Sequence, residues 1–263
     1  MATIDPTLDR VEFAEQILGL SPFDHQREAL RRPEPVILLV GGRRPGKTLT
    51  ACIAGLHAVT TRRDSDWLVT GPNADKPRWV IGEMLDLIRS SKIADQVAYD
   101  EEAMRLHFPG SGSAAIGVPP TGGQLRGPGR RLIGAHIEEA GHCPPGILRD
   151  LRYGLADRRE EGAQLWISGS PWGPPDHFFH ASWRLARDGD PDFWTPDPPW
   201  RSEMNPRLPR GWLERERARL NSIEAASELD GLWVEDGAQF FPRALLESCV
   251  CDLEMPPLLG APA

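Results

Sequence analysis

Residues 41–48 of the 263-residue chain read Gly41-Gly42-Arg43-Arg44-Pro45-Gly46-Lys47-Thr48, a GxxxxGK[ST] pattern. An apolar run, Val36 to Val40, precedes it, and helix-forming residues follow. In that setting the backbone N–H groups of the loop and of the helix start form a nest for phosphate oxygens. Lys47 would reach the outer phosphates and the Thr48 hydroxyl would ligate Mg²⁺. One of Arg43 and Arg44 is expected at the terminal phosphate and the other in solvent. Only Lys47, Lys76 and Lys92 are lysines among 30 basic residues, so arginine is the compositional default and a lysine at position 47 stands out.

A second candidate lies at Leu132-Ile-Gly-Ala-His-Ile-Glu138-Glu139, an apolar strand ending in two carboxylates. The first would hold Mg²⁺, and the second would orient and deprotonate an attacking water. Glu138 stands where an aspartate is usual and is one methylene longer. Ser168-Gly-Ser170-Pro171 ends the following strand, where a polar group such as Ser170 can touch the terminal phosphate. Gln26 precedes the loop, and its amide can both donate to and accept from an adenine edge. Gly122-Gly-Gln-Leu-Arg126-Gly127 is a glycine-rich loop with two readings: delivery of a catalytic arginine to developing phosphate charge, or a solvated loop touching a DNA backbone. Zinc is not expected. His136, His142 and Cys143 flank the acidic pair without HExxH spacing, and Cys249-x-Cys251 is an unconvincing pair.

The elements that must position these groups alternate between strand and helix. Apolar runs at 36–40, 67–70, 132–137 and 164–168 predict buried strands, and 104–108 with 114–118 predict a hairpin. Helical spacing covers 8–19, 26–32, the segment after Lys47, 80–88 and 146–158. The expected fold is α/β: a P-loop NTPase of the RecA/ASCE-like kind, with a mostly parallel sheet flanked by helices. Residues 1–170 would form this core. Residues 171–241, rich in Pro, Trp and Arg, would form a small lid-like subdomain, and 242–263 would begin a linker.

Composition sets the remaining bounds. A net charge of −8 rules out a generally basic surface, so nucleic acid would have to meet a local patch. No apolar run approaches the ~20 residues needed to span a bilayer, and the acidic N-terminus lacks a signal-peptide core. A cytosolic protein with free thiols is the expectation.

The ordered set Asp24-His25-Gln26, Gly41 to Thr48, Leu125-Arg126-Gly127, Ile137-Glu138-Glu139-Ala140 and Ser168-Gly-Ser-Pro171 resembles the ATPase domain of tailed-phage terminase large subunits. Glu228 to Trp233 with Gly237 to Phe240 resembles the stretch closing that domain. The resemblance spans about residues 20–241. It implies an ATP- and Mg²⁺-dependent motor that pumps double-stranded DNA into a procapsid in the host cytoplasm. Its implied partners are a portal protein, a small terminase subunit and further copies of itself in a ring, without a membrane. For residues, it implies adenine contact by Gln26, an arginine role for Arg43, metal binding by Thr48 and Glu138, catalysis by Glu139, and coupling through Ser168 to Pro171. Pro45 and Glu138 depart from the family pattern. The family's nuclease domain is not expected here, since only Glu247, Asp252 and Glu254 follow residue 241 as carboxylates. A helicase-like RecA-type ATPase is the alternative. A nucleotide-binding module without turnover fits less well, because binding alone has no use for a water-orienting carboxylate.

Overall fold

The computed structural model describes residues 4–120, 125 and 131–234. Eight strands form one sheet in the order β3-β4-β5-β2-β6-β7-β1-β8. β1 (Val36–Val40), β2 (Asp66–Thr70), β6 (Leu132–Ile137) and β7 (Gln164–Gly169) are buried at every position. This is the signature of strands covered on both faces, and it explains why they read as continuous apolar runs rather than alternating ones. β5 (Ser113–Gly117) pairs parallel with β2, while β4 (Arg105–Phe108) runs antiparallel to both β5 and the short β3 (Ala98–Asp100). The expected hairpin is therefore β4–β5.

Among the described residues, eight α-helices flank the sheet: α1 (Arg10–Gln16), α2 (Asp24–Leu30), α3 (Lys47–Thr61), α4 (Asp75–Arg89), α5 (Ile147–Leu155), α6 (Phe178–Arg187), α7 (Arg210–Arg219) and α8 (Ser222–Glu228). α3 is buried along most of its length, through residues such as Ala51, Ile53, Leu56 and Val59. None of the described helices is long and apolar enough to cross a membrane.

One strand, β7, separates β1 from β6, with Leu39 beside Ser168 and Ile137 beside Ile167. The carboxyl ends of these three strands therefore open on one edge of the sheet, the edge where open α/β sheets bind ligands.

The expected boundary after residue 170 is not where the sheet ends. β8 (Phe193–Trp194) pairs with β1 through Val36 and Ile37, and α6 packs against both. Sequence gives little sign of β8, because two residues cannot establish a period. The segment that stands beside the sheet begins near Trp200, which bridges to Gly41. It continues through α7, which buries no residue, and α8.

Candidate nucleotide-binding site

β1 leads straight into the glycine-rich loop. Gly46 caps α3 with a φ of 98°, a left-handed conformation that glycine adopts without strain. A Cβ at Gly46 would also lie against the Gln26 amide. The loop edges a cleft of about 680 Å³ that also takes in Thr48, Glu138, Glu139, Gly169 and Ser170. Motifs dispersed along the sequence therefore meet in one place.

Lys47 Nζ donates to Gly41 O at 2.9 Å and also to Gly42 O. Burial pulls this ammonium down to about 8, against the attraction of Glu138, Glu228 and Glu139. Across the cleft, Thr48 Oγ1 donates to Glu138 Oε1 at 2.8 Å, and Ser168 Oγ donates to Glu138 Oε2 at 2.6 Å. His136 Nε2 lies 2.8 Å from Ser168 Oγ and 3.1 Å from Glu138 Oε2. Burial by itself would raise the Glu138 carboxyl, but the bonds from His136, Ser168 and Thr48 outweigh it and hold the group below the usual carboxylate range.

The longer Glu138 thus reaches Thr48 directly. A hydroxyl and an ionised carboxylate side by side form an all-oxygen donor set that suits Mg²⁺. Among the described residues there is no cluster of three or more His, Cys, Asp or Glu able to cage a metal. A cation held by Thr48 and Glu138 would therefore complete its shell from phosphate and water. No zinc set is assembled among these residues: His142 packs against Trp172, and burial pushes the Cys143 thiol up to about 12.

Glu139 adopts φ 51°, ψ 49°, an uncommon conformation for a residue with a side chain. Its carboxylate meets Lys76 Nζ at 2.5 Å. Lys76, in the first turn of α4, also lies 5.5 Å from the Trp79 ring. Lys76, Trp79 and Trp172 all line the cleft, and the two indoles are 49% and 54% exposed. Sequence reasoning passed over all three. The available signal was that Lys76 shares the rarity that made Lys47 conspicuous.

Gln26 lies behind the loop rather than in the cleft. It is 2% exposed, and its Oε1 accepts from Phe23 N at 2.9 Å. Its Nε2 donates to Gly46 O at 3.3 Å and to Thr50 Oγ1 at 3.2 Å. Both ends of the amide are committed, so in this structure it braces the loop and offers no edge to a base. His25 does similar work, with Nε2 2.9 Å from Pro45 O, and burial holds its ring below the ordinary value against the opposing pull of that carbonyl. Replacing Gln26 with alanine strands buried backbone and hydroxyl partners. The expected cost is about 1–3 kcal/mol of folding stability, read as a lowered urea midpoint.

Arg43 and Arg44 both reach the cleft. Arg44 has a φ of 69°, and Arg43 Nε is paired with Glu228. Arg126 and its flanking glycines, like residues 235–263, lie outside the described residues.

A glycine-rich loop between a buried strand and a buried helix, with an acidic strand two positions away and a polar strand end between them, is the arrangement of a P-loop fold. No protein-family model and no curated protein matches the chain. Solved structures do. The ATPase domain of the Thermus phage P74-26 large terminase aligns at TM-score 0.71 and 20% identity, over 88% of this chain and 100% of that one. The large terminase of bacteriophage HK97 aligns at TM-score 0.66 and 14% identity, over 86% of this chain. A large terminase from a thermophilic bacteriophage, in complex with ADP, aligns at 0.65 and 18%, over 81%. The chain spans 55% and 53% of those two longer proteins. It therefore has the fold of phage large-terminase ATPase domains.

Proposed function

We propose that the chain is the ATP-hydrolysing motor domain of a viral DNA-packaging terminase, driving double-stranded DNA into a procapsid in the host cytoplasm. The observation that carries this reading is the convergence of Lys47, Thr48, Glu138 and Glu139 on one cleft of a terminase-like fold. The thermophilic-phage large terminase of similar fold has been solved with ADP and with ATP-γ-S. Lys47 and the loop amides would bind the phosphates, with the adenine and its contacts at the rim. Mg²⁺ held by Thr48 and Glu138 would neutralise phosphate charge. Glu139 would take a proton from the attacking water, which requires its pair with Lys76 to open first.

The test is ATP turnover by the purified chain with and without double-stranded DNA, and then with portal protein or the small terminase subunit. Turnover stimulated by DNA and portal is the expected result. ATP binding with no turnover under any of these conditions would reduce the protein to a binding module.

The lowered Lys47 ammonium sets a pH dependence. Bound phosphates stabilise the charged lysine and move it back upward, so nucleotide binding near and above pH 8 takes up a proton. Affinity for ADP is therefore retained below pH 8 and falls as pH rises through that value. Calorimetry at pH 8.5 in buffers of different ionisation enthalpy should show the uptake. Binding heats independent of buffer would contradict it.

Arg126 serves a neighbouring subunit in this reading, because Arg43 and Lys47 already supply cations to their own site. Mixing two inactive variants, Arg126→Ala and Glu139→Gln, should restore part of the activity. An Arg126→Ala subunit keeps its base and borrows the arginine of its neighbour. If no activity returns under conditions where wild-type subunits turn over, Arg126 acts within its own chain or on DNA.

A further inference from the structure

The cleft wall facing α3 is built by residues that follow the sheet. Gly42 N donates to Trp200 O at 2.8 Å, and Arg43 N donates to Glu228 O at 2.6 Å. Ser202 Oγ donates to Arg43 O at 2.7 Å, and Asn205 Nδ2 donates to Arg44 O at 2.8 Å. A Cβ at Gly42 would collide with the carbonyls of Glu228 and Leu229, so the approach is as close as backbone permits. The phosphate loop is thus bonded to this wall through three consecutive residues, Gly42 to Arg44.

Two neighbouring side chains at the end of α8 divide their contacts. The Glu228 carboxylate pairs with Arg43 Nε, which reinforces the guanidinium charge. Ser227 Oγ, buried, donates to Pro171 O at 2.7 Å. Pro171 directly follows the Ser168–Ser170 strand end, whose Ser168 bonds Glu138. One turn of helix therefore touches the phosphate loop on one side and the segment that follows β7 on the other.

Glu228 is an anion placed among cations that phosphate would use, since it faces Lys47 as well as Arg43. The Arg43 side chain is 72% exposed, so water screens the pair and makes it weak enough to exchange. A polyphosphate brings more charge to the same guanidinium and displaces a single carboxylate.

We infer that Glu228 is a positioning residue which holds Arg43 until phosphate binds and then yields it, so that α8 moves with the state of the loop and passes that state through Ser227 to Pro171. The inference rests on the nucleotide reading above.

The experiment measures ATP-γ-S affinity by calorimetry, and amide exchange over residues 222–233, in the 263-residue chain. Glu228→Gln removes the competing anion and should bind about 1.4- to 5-fold tighter, the range an exposed ion pair supports. In an Arg43→Gln background the same change should have a clearly smaller effect, because the competition for Arg43 is gone and only the attraction between Glu228 and Lys47 remains. Exchange near Glu228 should rise in wild type on adding ATP-γ-S, and in Glu228→Gln it should already be raised without it. If Glu228→Gln folds poorly, Arg43→Gln alone should show the raised exchange and lose the response to ligand. Unchanged or weaker binding by folded Glu228→Gln, or an equal effect with and without Arg43, would overturn the proposal. A wild-type chain that melts cooperatively but binds no ATP-γ-S overturns the nucleotide reading itself, and this inference with it.

Discussion

Replacing Lys47 with alanine should lower ATP turnover by at least about 10³-fold, the upper end of the cost of removing one preorganised electrostatic donor. Two observations place the effect this high. The lysine emerges from the loop itself and donates to the carbonyls of Gly41 and Gly42, so it also fixes how the loop closes. Lys76, the other lysine in the cleft, is paired with Glu139 and cannot take over both phosphate binding and loop closure. ADP affinity should fall as well, while the thermal midpoint should shift only modestly, because the cost of stranding the Gly41 and Gly42 carbonyls is offset by removing an ammonium that burial disfavours. Steady-state turnover and calorimetry on one preparation separate the two effects. Near-normal turnover by the folded variant would remove the P-loop reading.

Glu139→Gln should bind ATP and hydrolyse it about 10²- to 10⁴-fold more slowly, the range for loss of a general base. The amide preserves shape, and with it the unusual left-handed backbone at this position. It also releases Lys76 from an ion pair, so ATP affinity should hold or rise while turnover collapses. Glu138→Gln should behave differently. Its carboxylate is tied to Thr48, Ser168 and His136, so neutralising it weakens metal-dependent binding rather than the water step alone. If Glu138→Gln retained ATP without turnover while Glu139→Gln stayed active, the two roles would be exchanged.

The central strands were legible because a strand covered on both faces favours apolar residues along its whole length, and Val36–Val40 and Leu132–Ile137, interrupted only by His136, supply them. That the glycine-rich loop and the acidic pair lie at strand ends lining one cleft was legible because each is a short contiguous motif after an apolar run. What escaped depended on long-range packing. Two-residue β8 exists only because β1 offers it an edge, and α6 lay within a Pro- and Trp-rich stretch that obscured its period. Lys76 faces Glu139 because α4 begins beside the end of β6, a relation between segments far apart in sequence. Gln26 stands shortly before the loop in sequence, yet whether its amide meets a base or the loop depends on burial, and a sequence pattern does not contain that information. The wall from Trp200 to Leu229 falls within the segment expected to be lid-like, but the bonds that join it to Gly42, Arg43 and Arg44 leave no trace in the residue pattern.

The burial of α3 has a mechanical consequence. A helix enclosed along most of its length by close-packed side chains has no room to shift, because interiors at this density resist compression. The phosphate loop is therefore held between a close-packed helix and an outer jaw formed by residues 200–229, which include α7, a helix that buries no residue. With phosphate bound as proposed, a displacement of the loop would go outward, toward residues 200–229, rather than into the sheet. The stroke of such a device would be set by the stiffness of the outer jaw, so substitutions that stiffen or loosen α7 should tune the size of the movement without altering the chemistry in the cleft.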